Sequence, residues 1–284
     1  MPLQIQSAQL KPGATTTFNF SDQITQRVVG VSSFTLSYGN TDHHVETVAV
    51  SLSVNQSGPS LSVTAHGTMV DGSGHNLDPN SSYINVVALA WVGVDDSNLK
   101  LGNVAGIANG GSGSSITIPG TDPNVLQSAL AGYYLSYGST DHHMETVSAA
   151  LNTTLSGNSA IITGSVYMND ESGNSTSGTA DAGLVANCDP SLGNFVQPTN
   201  SLQNNTQKLT FAKTYGTYTP LLSGFKAQFR DNSDHHVKSF SASVSVQSVD
   251  GASVTVTGAA KLTDNSGHVQ DDDVSNITAF VVGI

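Results

Sequence analysis

The tripeptide Asp-His-His occurs three times in this chain, at Asp42-His43-His44, Asp141-His142-His143 and Asp234-His235-His236. Imidazole offers a neutral nitrogen ligand, or a proton that moves near pH 7, and a carboxylate offers a hard anionic oxygen. Side by side they suit a divalent metal such as zinc, nickel or iron. On an extended backbone Asp42 and His44 point to one face and His43 to the other. Three copies about a threefold axis would therefore bring His44, His143 and His236, with their aspartates, to one axial point. Two other readings stand beside the metal. In one, the triplet is a polar strand entry in which Asp bonds the backbone and His orders a loop. In the other, Asp42, His43, Asp141, His142, Asp234 and His235 form a rim that contacts a ligand, helped by Tyr38 and by Trp91, the one tryptophan.

The motif aspartates lie 99 and 93 residues apart, and a second marker follows each of them. It reads Asp71-Gly-Ser-Gly74, Asp170-Glu-Ser-Gly173 and Asp264-Asn-Ser-Gly267, at offsets of 29, 29 and 30 residues. Two markers in register three times identify an internal repeat. Its units are expected at residues 1–98, 99–189 and 190–284. The second marker reads as an Asx-type turn closed by glycine, with calcium as the alternative, above all at Asp271-Asp272-Asp273.

The elements that must position these residues are strands. After the motif Asp, apolar residues recur at every second position: Val48, Val50, Leu52 and Val54, then Val147, Ala149 and Leu151, then Phe240, Ala242, Val244 and Val246. That period marks a strand with one buried face. A glycine-containing turn (Gly58, Gly157, Gly251) and a second alternating run predict a hairpin in each copy. Upstream of the motifs, Phe34-x-Leu36-x-Tyr38, Tyr133-x-Leu135-x-Tyr137 and Phe225-x-Ala227-x-Phe229 predict another strand. With short opening strands and apolar closing strands, each unit is the size of a small antiparallel β-sandwich. The fold expected is all-β, three tandem sandwiches with pseudo-threefold symmetry. Only residues 122–130 read as helical, with Asp122 as cap, Pro123 at the first position and Val125, Leu126, Ala129 and Leu130 at helical spacing. Residues 108–115 and 189–207 read as linkers.

Composition agrees and excludes partners. Charged residues are 11% of the chain and the net charge is −12. Aspartate, a turn residue, makes up 18 of the 21 acidic positions, which argues against helices. With arginine only at 27 and 230 there is no basic stripe for phosphates, so nucleic acid is not an expected partner. Cys188 stands alone, which excludes an intrachain disulfide. No apolar run reaches transmembrane length. The opening ten residues lack a secretory pattern, so synthesis in the cytosol is expected, with a final place outside the cell or in a virion or similar particle. Nucleophile-elbow, Walker and zincin motifs are missing, so the chain is read as a non-enzyme.

Laid out in this way, the unit resembles the H-type lectin domain. The resemblance rests on residues 15–20, the valine-rich stretch 28–38, Asp42, the alternating stretch 48–54 and the closing run Ala88-Leu-Ala-Trp-Val-Gly93, with Thr214-Tyr-Gly-Thr-Tyr-Thr-Pro220 similar to the family's proline-containing entry. It implies a six-stranded antiparallel sandwich that trimerises, as in lectins and in viral or phage fibres. Three linked units would then make within one chain the trimer that the family makes from three, an oligomer or pseudo-trimer. A glycan-binding or attachment protein is the function expected, and a structural component of a virion, tail, fibre or other extracellular assembly is the alternative.

Overall fold

The computed structural model describes residues 2–229, 234–267 and 274–284; Asp271, Asp272 and Asp273, raised above as a calcium site, lie outside them. The regular structure of the described residues is nearly all strand. The first span holds β1 (Leu3–Leu10), β2 (Thr15–Asn19), β3 (Ile24–Ser37), β4 (Thr47–Ser57), β5 (Ser60–Val70) and β6 (Tyr83–Val92). The second holds β7 (Leu99–Ala108), β8 (Ile116–Thr117), β9 (Val125–Ser136), β10 (Thr146–Ser156), β11 (Ser159–Asn169), β12 (Ser175–Ser177) and β13 (Thr179–Asn187). The third holds β14 (Val196–Pro198), β15 (Thr206–Thr210), β16 (Tyr218–Gln228), β17 (Ser239–Asp250), β18 (Ser253–Thr263) and β19 (Asn276–Gly283), after a 3-10 turn at Pro190–Leu192. The all-β class is borne out. No helix among the described residues is long and apolar enough to cross a membrane.

Within each span the strands divide into two facing antiparallel sets, β1-β6-β3 with β2-β5-β4 in the first. The hairpins predicted from alternation are β4–β5, β10–β11 and β17–β18. Each turns on a glycine at positive φ, Gly58 at 59°, Gly157 at 61° and Gly251 at 58°. Positive φ at the first turn residue is the type II′ requirement, which matches the twist of the flanking strands.

The sets do not end at the span. The hairpin edge β4 pairs with β9 of the second span through residues 47–50 and 133–136. In the same way β10 pairs with β16, and β17 pairs back to β3. Three continuous sheets result, each joining half of one repeat to half of the next, and the ring closes. This pairing covers the edges of β3, β4, β9, β10, β16 and β17 that free sandwiches would present at the seams. Along one edge β3, β9 and β16 keep β6, β13 and β19 as partners, and each ladder carries a β-bulge. Just beyond it the neighbouring repeat's strand joins at the opposite edge. The register slips between Val31 and Ser33, between Leu130 and Gly132, and between Leu222 and Gly224. The extra residue increases local twist and turns the strand toward its new neighbour.

These three strands surround the axis. Phe34, Tyr133 and Phe225, one from each repeat, meet there with centroids 5.2–5.6 Å apart. Phe240 closes on Phe34 at 5.1 Å, and all four rings are buried. The Tyr133 hydroxyl lies in this core with no hydrogen-bond partner, where the other two repeats have phenylalanine. A buried orphan hydroxyl costs about 1–3 kcal/mol. Tyr133→Phe is therefore expected to raise stability by about 1 kcal/mol, read as a higher denaturant midpoint at unchanged slope.

Two expectations are corrected. Residues 122–130 contain no helix, for Val125–Ser136 is strand β9. Ser128, Ala129 and Leu130 are buried consecutively because β9 is covered on both faces near the axis, and such a run mimics helical spacing. The segments read as linkers are held against the sheets: Asn109 and Ser112 bridge to β11, Val196–Pro198 pairs with β19, and Leu202 bridges Ile277.

Candidate functional site

The three Asp-His-His motifs meet at one end of the axis. Immediately after β3, β9 and β16, each chain segment crosses to its neighbour. His43 pairs with Val237, Val45 with His142 and Met144 with His235, through reciprocal backbone hydrogen bonds of 2.8–3.2 Å. This cyclic ladder fixes the backbone on both sides of His44, His143 and His236. Val45, Met144 and Val237 turn inward and are buried, so the preceding histidines point the other way along the alternation.

The rings of His44, His143 and His236 pack around the axis with centroids 4.5–4.7 Å apart. One ligand atom from each lies within 4.8 Å of the others. Each ring faces an aspartate from the following repeat. His44 Nδ1 is 3.6 Å from Asp141 Oδ2, His143 Nδ1 is 3.2 Å from Asp234 Oδ1, and His236 Nδ1 is 3.9 Å from Asp42 Oδ1. Two of these carboxylates are anchored in turn. Asp141 Oδ2 accepts from the Gly72 N–H at 3.1 Å and Asp42 Oδ2 from the Asn265 N–H at 3.0 Å. Gly72 and Asn265 belong to the second sequence marker, so the two markers are in contact across repeats. Burial and the two neighbouring imidazoles outweigh Asp42 and hold His236 below the ordinary histidine value.

The first histidine of each motif does something else. His43 Nδ1 lies 3.2 Å from Asp71, His142 Nδ1 lies 3.1 Å from Asp170, and His235 Nδ1 lies 3.7 Å from Asp264, all within one repeat. Their rings pack on Tyr38, Tyr137 and Phe229 at 4.6–4.9 Å. Asp71 is buried and shapes its turn as the sequence suggests, accepting from the Ser73 and His75 N–H groups. Burial alone would raise its carboxyl, but the hydrogen bonds from His75 and Ser73 prevail and hold it below the usual carboxylate range. His75, stacked on His43 at 4.2 Å, completes a second cluster of His43, Asp71 and His75. In the second repeat Asn174 stands at that position and donates to Asp170, so this cluster is not threefold.

Of the residues singled out in the sequence, Asp42, His43, His44, Tyr38 and their counterparts Asp141, His142, His143, Asp234, His235 and His236 are brought together. Trp91 is not. It pairs with Gln26 at the start of β3, roughly 35 Å along the strand from Ser37 and the motif, and donates its indole N–H to the Val94 carbonyl. There it lines a mostly apolar cavity of about 200 Å³ with Leu3, Phe195 and Tyr215.

Sequence reasoning missed two grooves between repeats. The first, about 300 Å³, is lined by Arg27 and Val29 of β3, Leu52 and Val54 of β4, Asn103 of β7, the bulge residue Ala131 of β9 and Asp181 of β13. The second, about 200 Å³, is lined by Gln127 of β9, Asn152 of β10, Pro198 of β14, the bulge residue Ser223 of β16 and Thr278 of β19. Strand for strand it is the first groove advanced by one repeat. The cause is shared: β4 and β10 pair with the next repeat over only four and five residues, then part from it beside the bulge. The sequence carried no signal for them beyond the repeat itself.

A comparison of the chain with protein-family models, curated proteins and solved structures returns no match.

Proposed function

We propose that this chain is a non-enzymatic, lectin-like binding protein whose grooves between repeats take a hydroxyl-rich ligand such as a glycan. The observation that supports it is the recurrence of one groove at successive seams, each offering mixed donors and acceptors beside apolar wall. In the first groove Arg27 supplies N–H donors, Asp181 and Asn103 supply acceptors, and Val29, Leu52 and Val54 supply a surface for the C–H face of a sugar ring. Arg27 is pre-positioned by a 3.0 Å bond to Gln56, and Asp181 by accepting from the Gly106 N–H at 2.8 Å. Held groups lose less entropy on binding. Residues in these grooves replace Trp91 and the motif rim as the ligand contacts of this reading. Arg27→Ala and Asp181→Asn are each expected to weaken binding at least about tenfold, as loss of a charged hydrogen bond does. A glycan array probed with the intact protein, followed by titration of its best ligand into both variants, checks this. An array without hits at high protein concentration would sink the reading.

The second reading is a building block of a virion, tail, fibre or other extracellular assembly. The closed ring of three shared sheets favours it, because a pseudo-threefold body fits a site of threefold symmetry. Sedimentation of the protein alone and with particle fractions from its source tests it. A strict monomer that copurifies with nothing would count against it.

A further inference from the structure

We propose that His44, His143 and His236 bind one first-row divalent transition-metal ion on the pseudo-threefold axis, with Asp141, Asp234 and Asp42 as the groups that orient them. Three observations converge on it. Each repeat contributes one imidazole to the axis, and the three ligand atoms already lie within 4.8 Å of one another. A zinc ion at about 2.0–2.1 Å from three nitrogens needs them about 3.3–3.6 Å apart. Each ring therefore has to move inward by less than about 1 Å, and the side chains, 38–44% exposed, have room to do so.

The second observation is the carboxylate behind each ring. Every axial ring turns Nδ1 toward a carboxylate, at 3.2–3.9 Å. A proton held on Nδ1 leaves the Nε2 lone pair free, the arrangement found where a carboxylate backs a metal-bound histidine. Edge-to-face packing of three rings would not call for a carboxylate behind each. The brace also crosses repeats in one direction round the ring, first to second, second to third and third to first. It therefore belongs to the closed trimeric arrangement and not to any single unit.

The third is charge and access. Three aspartates around three imidazoles favour a cation, and nitrogen ligands select zinc, nickel or cobalt over calcium or magnesium. Among the described residues the three imidazoles keep 38–44% exposure, which leaves room for further ligands beyond the three nitrogens. A bound ion would clip the three repeats together where their chain segments cross.

Metal-stripped full-length protein, titrated at neutral pH with zinc chloride by calorimetry and with cobalt chloride by visible absorption, tests the proposal. One equivalent of zinc is expected to bind with micromolar or tighter affinity, and cobalt is expected to give the d–d bands of a nitrogen-ligated site. His143→Ala is expected to weaken binding at least about 100-fold and Asp234→Asn about 10–100-fold. His75→Asn, which installs the residue that the second repeat carries as Asn174, is expected to leave binding unchanged. Circular dichroism of the stripped variants establishes that they fold, and His44→Gln replaces His143→Ala if that one does not. Absence of saturable uptake of either metal by the wild-type protein overturns the proposal. So does uptake that survives His143→Ala or His44→Gln but is lost in His75→Asn, which would place the ion at His43, Asp71 and His75.

Discussion

Residues 1–98 produced alone are expected to yield no folded monomer. The first span contains two three-stranded sets, and both continue into other repeats. Cutting the chain after residue 98 strips β17 from residues 33–37 of β3 and β9 from residues 47–50 of β4. Two rows of unpaired backbone groups are left, at edges that nothing covers. Phe34, fully buried in the intact protein, loses its three ring partners Tyr133, Phe225 and Phe240. A small sandwich has a stability of only about 5–15 kcal/mol to begin with, and several buried apolar side chains at about 1.5–3 kcal/mol each consume it. The fragment is expected to be unfolded, or to self-associate through the same edges. Mixing it with residues 99–284 is expected to restore a one-to-one complex. Sedimentation and circular dichroism decide the matter: a monomeric fragment with a cooperative thermal transition would show that the shared sheets are not needed.

Phe34→Ala in the full chain is expected to cost about 3–5 kcal/mol, the range for deleting a fully buried phenylalanine. Phe34 sits at the upper end of what its area predicts, because its edge-to-face and tilted contacts with three rings add to burial. The cavity it leaves lies on the axis, where strands from all three repeats converge, so no single element can relax into it. Loss is expected to appear as a lower midpoint of one transition, with a fall in Tm of about 10 °C at this chain size. If the repeats unfold in separate steps, or the midpoint barely moves, the axial aromatic layer is not what couples them. Tyr133→Phe in the same layer should move the midpoint the other way.

Much of this protein was legible in one dimension because its information is local. Alternation at every second residue marks a strand and its buried face wherever the strand ends up. That is why Val48 to Val54 and their counterparts, the hairpin glycines and the apolar triplets from Phe34 to Phe229 could be placed from sequence. The repetition of Asp-His-His also determined that three equivalent histidines exist. Only the tertiary structure decided that His44, His143 and His236 converge while His43, His142 and His235 turn back to Asp71, Asp170 and Asp264. Which aspartate backs which axial ring depends on edges pairing between residues as much as 202 positions apart, as Ser37 and Ser239 do. Edge pairing leaves no periodic trace, because a strand with one buried face reads the same whichever neighbour it takes. The bulges at Ser32, Ala131 and Ser223, and the two grooves that open beside the last two, are equally silent. For the same reason β9, covered on both faces, passed for a helix. Thus local patterning specified the strands and the chemistry they carry, and long-range edge pairing specified where that chemistry meets.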